Sequence, residues 1–270
     1  SSAIGGVAAV NEYAPDATRH PQDAVIEDVT LRSDDYGVTL YGPATKVGGL
    51  VGYNAGTVKN GKVEAKTFDL SHLTATANTV TAGGAVGENV GTVGGTGKDA
   101  VTVETDLTQS MDKYCNMGGV VGSNSGVLVR CPYQGTIGSS ADADAAEVIG
   151  INVVGSTVGG IVGSNDANGT VQDCEVKHIT LHVQGASNVG ASQDAAAKMA
   201  NAAHIGGIVG RNSGKIESSL IATDDTRSTI TAHGGFVGGV AGSNSGSITT
   251  SGGKATQALV QQINDWLTVP

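Results

Sequence analysis

Side chains that would fill a thick core are scarce in this chain. Aromatics make up 3% of its 270 residues, with two Phe and a single Trp, which argues against a globular enzyme with a deep interior. Cysteine is almost absent. Cys115, Cys131 and Cys174 are an odd number and too few for a disulfide framework. Basic residues are outnumbered, 15 against 25 acidic ones, giving a net charge of −10 and a pI near 4.9. Nucleic acid is therefore not expected as a partner, because phosphate binding needs clustered Lys and Arg. The same excess keeps an extended protein soluble. No apolar run approaches the ~20 residues of a membrane-spanning helix, and no charged-then-apolar leader opens the chain. Starting at Ser1 almost directly on a repeat, the sequence reads as a fragment of something longer, a monomeric segment within a larger chain.

What the chain does have is glycine, 42 residues of it, in a recurring pattern. Gly118-Gly119-Val120-Val121-Gly122-Ser123-Asn124-Ser125-Gly126 is matched by Gly48-Gly49-Leu50-Val51-Gly52-Tyr53-Asn54-Ala55-Gly56 and by Gly83-Gly84-Ala85-Val86-Gly87-Glu88-Asn89-Val90-Gly91. It returns at Gly206 to Gly214 around Asn212 and at Gly238 to Gly246 around Asn244. A further copy, Gly159 to Asn165, carries two extra residues before Gly169, and a degraded one, Gly5 to Asn11, opens the chain. Repetition at such periods means a stacked array in which each unit contacts only its neighbours.

The expected fold is all-β: a parallel β-helix, or β-solenoid, of about seven coils over 1–254, with a short capping helix at 255–270. Each Gly-Gly-h-h-Gly (h apolar) reads as a short strand between glycines, and Asn-x-Gly as the turn that follows. The signature positions are Gly52, Gly87, Gly122, Gly163, Gly210 and Gly242 with Asn54, Asn89, Asn124, Asn165, Asn212 and Asn244. Stacked at a corner, these asparagines can hydrogen-bond one another as a ladder; facing solvent, they could instead form a row of ligands for a cation or glycan. The ladder is the expectation. In 179–183 the alternation puts Ile179, Leu181 and Val183 on one face, directed to the core. Insertions near 11–24, 139–149 and 185–203 read as loops, the last with a short alanine-rich helix after Ser192. Leu259, Ile263, Trp266 and Leu267 fall at helical spacing and suit a cap over the last coil. Cys131 and Cys174 hold equivalent positions, so adjacent coils would bring them within disulfide range; two buried thiols are the expected state.

The repeated string, followed in two copies by a cysteine at the same aligned distance, resembles the GLUG-motif repeats of bacterial surface proteins. Ala9 in the first copy and the missing cysteine in most copies depart from the pattern. The resemblance implies a secreted or wall-anchored bacterial protein, often of gut commensals, with repeats that form a stalk or adhesive region. Similar repeats also accompany IgA-cleaving metallopeptidases, which would make the chain an accessory domain.

Other motifs have plainer readings. Gly95 to Ala100 mimics a dinucleotide fingerprint but lacks the surrounding βαβ unit, and Asp99 follows Lys98 where a P-loop needs Ser or Thr. Asp142, Asp144 and Glu147 lack the EF-hand glycine and glutamate. Asp34-Asp35 and Asp224-Asp225 read as charged surface rather than glycosidase pairs. His178 and His182 share a strand face but stand about 13 Å apart, too far for one zinc. The threonines of 74–76 and 79–81 do not recur on other coils as an ice-binding face would require. No catalytic, metal or cofactor residue is assigned. The expected role is non-enzymatic: an extracellular stalk or adhesin whose insertions meet a host glycan or surface protein. The alternative is a carbohydrate-acting β-helix of the polysaccharide-lyase type.

Overall fold

The computed structural model describes residues 2–13, 20, 23–34, 37–70, 73, 79–108, 114–138, 156–184, 203–222, 228–233 and 235–249. Among these the chain is all-β, and its strands pair in parallel in three sheets. The proposed helices at 192–200 and 255–270, and most of the insertions at 11–24, 139–149 and 185–203, lie outside the described residues. A 3-10 turn, Gly97–Asp99, lies between strands and occupies the false dinucleotide fingerprint.

Each pass of the chain visits the three sheets in the same order, giving one strand to each of the first two. The first sheet stacks seven: Ala3–Gly5, Lys46–Gly48, Thr79–Gly83, Tyr114–Gly118, Thr157–Gly159, His204–Gly206 and Phe236–Gly238. After two intervening residues the chain enters the second sheet, also seven-stranded, whose strands end on the repeat asparagines: Ala8–Asn11, Val51–Asn54, Val86–Asn89, Val121–Asn124, Val162–Asn165, Val209–Asn212 and Ala241–Asn244. The third sheet has 13 strands, because most passes cross it in two or three pieces. Sequential strands placed in parallel one pass apart make the arrangement solenoid-like.

The core is a set of files, one side chain per pass. Val47, Ala82, Met117, Val158 and Ile205 form one; Val58, Val93, Leu128, Val171 and Ile216 another; all are at most 1% exposed. Each such burial contributes about 1.5–3 kcal/mol, so small aliphatic side chains suffice when they are stacked. Ile179 and Leu181 are buried as the alternation requires. Tyr133 is the largest fully buried side chain among the described residues, and its hydroxyl donates to the Thr105 carbonyl at 3.0 Å.

Two glycine files set how closely the sheets approach. A Cβ on Gly122 would stand 2.5 Å from the Ala82 nitrogen and 2.8 Å from the Ala82 and Gly87 oxygens, all of it backbone that cannot yield. The corresponding contacts recur at Gly87, Gly163, Gly210 and Gly242, so the first and second sheets meet backbone to backbone. The second file lies under the third sheet: a Cβ on Gly119 would be 2.6 Å from the Tyr133 ring, and one on Gly84 2.7 Å from Val103.

A third file bends the chain within the third sheet. Every described non-glycine residue with positive φ belongs to it: Asp28, Asn60, Arg130, Asp173 and Ser218, with φ between 45° and 56°. Strand register sets them level, since Glu27 pairs with Lys59, Val129 with Gln172 and Gln172 with Glu217. In the third pass Gly94 turns the chain one position earlier, at φ +83°.

Candidate functional site

The repeat asparagines stand at the corner between the second and third sheets and form a continuous file of amide hydrogen bonds. Each Nδ2 donates to the Oδ1 of the next pass: Asn11 to Asn54 at 2.8 Å, Asn54 to Asn89 at 2.7 Å and Asn89 to Asn124 at 2.9 Å. Asn124 to Asn165, Asn165 to Asn212 and Asn212 to Asn244 continue it at 2.8, 2.7 and 2.7 Å. The same Nδ2 atoms also reach the carbonyl of the glycine in Asn-x-Gly, as in Asn54 to Gly56 at 3.2 Å and Asn124 to Gly126 at 3.1 Å. Asn54, Asn89, Asn124 and Asn212 have no exposed surface. An amide so engaged on both sides has no capacity left for a ligand. Only Asn244, at the last described pass, is exposed.

A second polar strip runs along the line where the first and second sheets adjoin. Its first row is the residue two before each Gly-Gly: Lys46, Thr81, Asn116, Thr157, His204 and Phe236, aligned by strand register. Its second row is the variable residue of Gly-x-Asn: Tyr53, Glu88, Ser123, Ser164, Arg211 and Ser243. The rows touch at one end, where Lys46 Nζ lies 2.9 Å from Glu88 Oε2 and 4.3 Å from the centre of the Tyr53 ring. Burial, then Glu12 and Glu88, raise the Tyr53 pKa. In the middle Thr157 Oγ1 donates to Asn116 Oδ1 at 2.7 Å.

His204 is the unusual member of the strip. It is 6% exposed and stacked on Phe236 with ring centroids 5.4 Å apart, and neither ring nitrogen has a hydrogen-bond partner. Burial lowers its pKa to about 4, helped by the positive charge of Arg211. Neutral imidazole packed on an aromatic ring is the state this setting selects. Nothing in the sequence singled out His204; the signal was its position two before a repeat Gly-Gly, which is legible only once the rows are aligned.

The remaining sequence candidates are dispersed. Asp34 is exposed and held by Arg32 Nε at 2.8 Å, while Asp35, Asp142, Asp144, Glu147, Asp224 and Asp225 lie outside the described residues, as does 74–76. His178 is half-buried in the third sheet with Nδ1 unpartnered. Among the described residues no group of three or more His, Cys, Asp or Glu side chains converges. The only carboxylate in the two polar rows, Glu88, is committed to Lys46. No helix of the described residues is long and apolar enough to cross a membrane. Comparison of the chain with protein-family models, with curated proteins and with solved structures finds no match.

Proposed function

We propose that this chain is a non-enzymatic repeat segment of a bacterial cell-surface or secreted protein, a GLUG-like solenoid of about seven coils that acts as stalk or adhesin. A helix at 255–270 caps the last coil. The observation that carries this reading is the division of labour between corners. The asparagine corner is turned by two residues in five of the seven passes, with 12–24 and 166–169 the exceptions, whereas the connections 70–78, 109–113, 138–156 and 185–203 all run from the third sheet to the first and so leave from one corner. A stiff stack with variable loops aligned along one edge presents those loops at fixed spacing, and recognition concentrates on loops held by a rigid scaffold. The partner class is a host glycan or surface protein, and the setting is extracellular. The polar strip supports a non-catalytic role, because a polysaccharide-cleaving site needs several acids and a base gathered on neighbouring coils.

Deleting 185–203 tests the proposal. The shortened chain is expected to keep its far-ultraviolet β signal and cooperative melting while losing binding to cells or glycan arrays that the parent recognises. Loss of folding, or unchanged binding, would remove this insertion from the proposed surface.

A further inference from the structure

We propose that Cys131 and Cys174 form an intramolecular disulfide that staples two successive passes of the chain in their native register. This goes beyond the stalk reading and does not rest on it. Both side chains are buried thiols here, at 0% and 1% exposure. Their alignment is fixed from both sides: Val129 pairs with Gln172 two residues before the cysteines, and Tyr133 pairs with Val176 two residues after. Neighbouring strands lie about 4.8 Å apart, and a disulfide spans Cα separations of about 4.4–6.8 Å. The two thiols also share one local geometry. Cys131 Sγ lies 3.5 Å from the Val129 carbonyl and Cys174 Sγ 3.4 Å from that of Gln172, each two residues back. Contact between the thiols, with burial second, pushes the Cys131 pKa well above the ordinary thiol range.

The next position in the file shows what the site tolerates. Ser219 is level with Cys174, since Gln172 pairs with Glu217 and Val176 with Ile221. It is fully buried, donates to the Glu217 carbonyl at 3.1 Å and accepts from the Cys174 amide at 3.1 Å. Serine is thus a native occupant of this column, and Cys131→Ser is a substitution the fold accepts.

The chemistry is thiol–disulfide exchange with a small-molecule disulfide such as glutathione disulfide. The thiolate of one cysteine attacks a sulfur of the oxidant, forming a mixed disulfide and releasing one glutathione thiolate. The second cysteine then attacks the protein sulfur and releases the other glutathione. Two protein thiols and one glutathione disulfide become one protein disulfide and two glutathiones, so two electrons pass to the oxidant. Buried thiols of raised pKa are inert. The bond therefore forms as the chain folds, before burial is complete, and once closed it is shielded from reductant. It ties together the two ends of the stretch containing 138–156, anchoring the base of that insertion on two passes.

The test is to denature the full chain and refold it in parallel in glutathione disulfide and in excess reductant. Oxidative refolding is expected to lower the mass by about 2 Da, to leave one reactive thiol of the three, and to yield a cross-linked peptide joining Cys131 and Cys174. The oxidised form should melt roughly 10 °C above the reduced one. Cys131→Ser should refold without mass loss and melt alike under both conditions, while Cys115→Ser should keep the cross-link. Three thiols after oxidative refolding, a bridge to Cys115, or an oxidised form that melts no higher than the reduced one would overturn the assignment.

Discussion

From Asn11 to Asn244 the amide rungs keep donor–acceptor distances of 2.7–2.9 Å, although the sequence between successive rungs runs from 32 to 47 residues. At the opposite corner, between the third sheet and the first, the connection is 234–235 in one pass and 185–203 in another. The two corners therefore tolerate change differently. Lengthening an exposed loop adds only a slowly growing closure entropy, about 0.6 kcal/mol per doubling. Displacing a buried rung strips two amides of partners in a place water does not reach, which costs about 1–3 kcal/mol for each unsatisfied group. Most of the freedom in coil length accordingly collects where it is cheap, and the departures at the asparagine corner, 12–24 in the first pass and 166–169 in the fifth, leave the rungs themselves in register.

The sharpest way to break this comparison is at the middle of the asparagine file. Asn124→Ala removes an acceptor for Asn89 and a donor for Asn165, and it also loses the bonds to Gly126. Stability should fall by roughly 2–5 kcal/mol. Asn244→Ala removes the same side chain at the exposed end of the file and should cost under about 1 kcal/mol. Urea unfolding of both variants checks this. Equal losses would mean that the file is not a chain of mutually dependent bonds.

How much of this was legible in the sequence follows the same division. The parallel, all-β stack could be read because the corner positions admit one residue type each: Gly122 has no room for a Cβ, and Asn124 needs an amide that donates and accepts at once. Such sites leave a periodic mark. The bend of the third sheet left none, because it is made by Asp28, Asn60, Arg130, Asp173 and Ser218, residues of four types with no shared spelling. The register also slips between Glu104 and Asp106, so simple alternation fails there. The polar strip was missed for a related reason. Its rows sit at the variable positions of the motif, where Lys46 and His204 look unrelated until strand pairing sets them in one line.

His204 offers an effect of intermediate size and one with a sign. Its folded pKa of about 4 lies below the ordinary value of 6.5. The unfolded chain therefore takes up the proton first. The contribution to stability is complete above pH 6.5, declines as pH falls toward about 4, and levels off below that. The full span is at most about 3.5 kcal/mol. His204→Leu should remove this component, so the parent-minus-variant stability difference should fall between pH 6.5 and 4. Parallel pH profiles for the two proteins would show that the buried imidazole does not titrate with unfolding. The asparagine file, having no ionisable group, should contribute nothing to either profile, which separates the two polar columns experimentally.

The smallest effect expected tests the bend within the third sheet. Arg130 holds φ +52° in a conformation that costs a non-glycine residue about 1–2 kcal/mol. Its side chain returns little, since it is exposed and its contact with Asp173 is 4.0 Å long. The backbone amide of Arg130 still donates to the Gln172 carbonyl at 3.0 Å whatever the side chain. Arg130→Gly therefore relieves the strain and keeps the pairing, while the greater freedom of glycine in the unfolded chain takes back about 0.4–1 kcal/mol. A net gain of about 0.5 kcal/mol is expected, read as a small rise in the urea midpoint. Arg130→Ala, which keeps the Cβ and the strain, should show no such rise. A glycine that stabilises this bend would stand in contrast to the glycine files between the sheets, where the missing Cβ answers a lack of space; at Arg130 the side chain has room, and the backbone angle alone sets the cost.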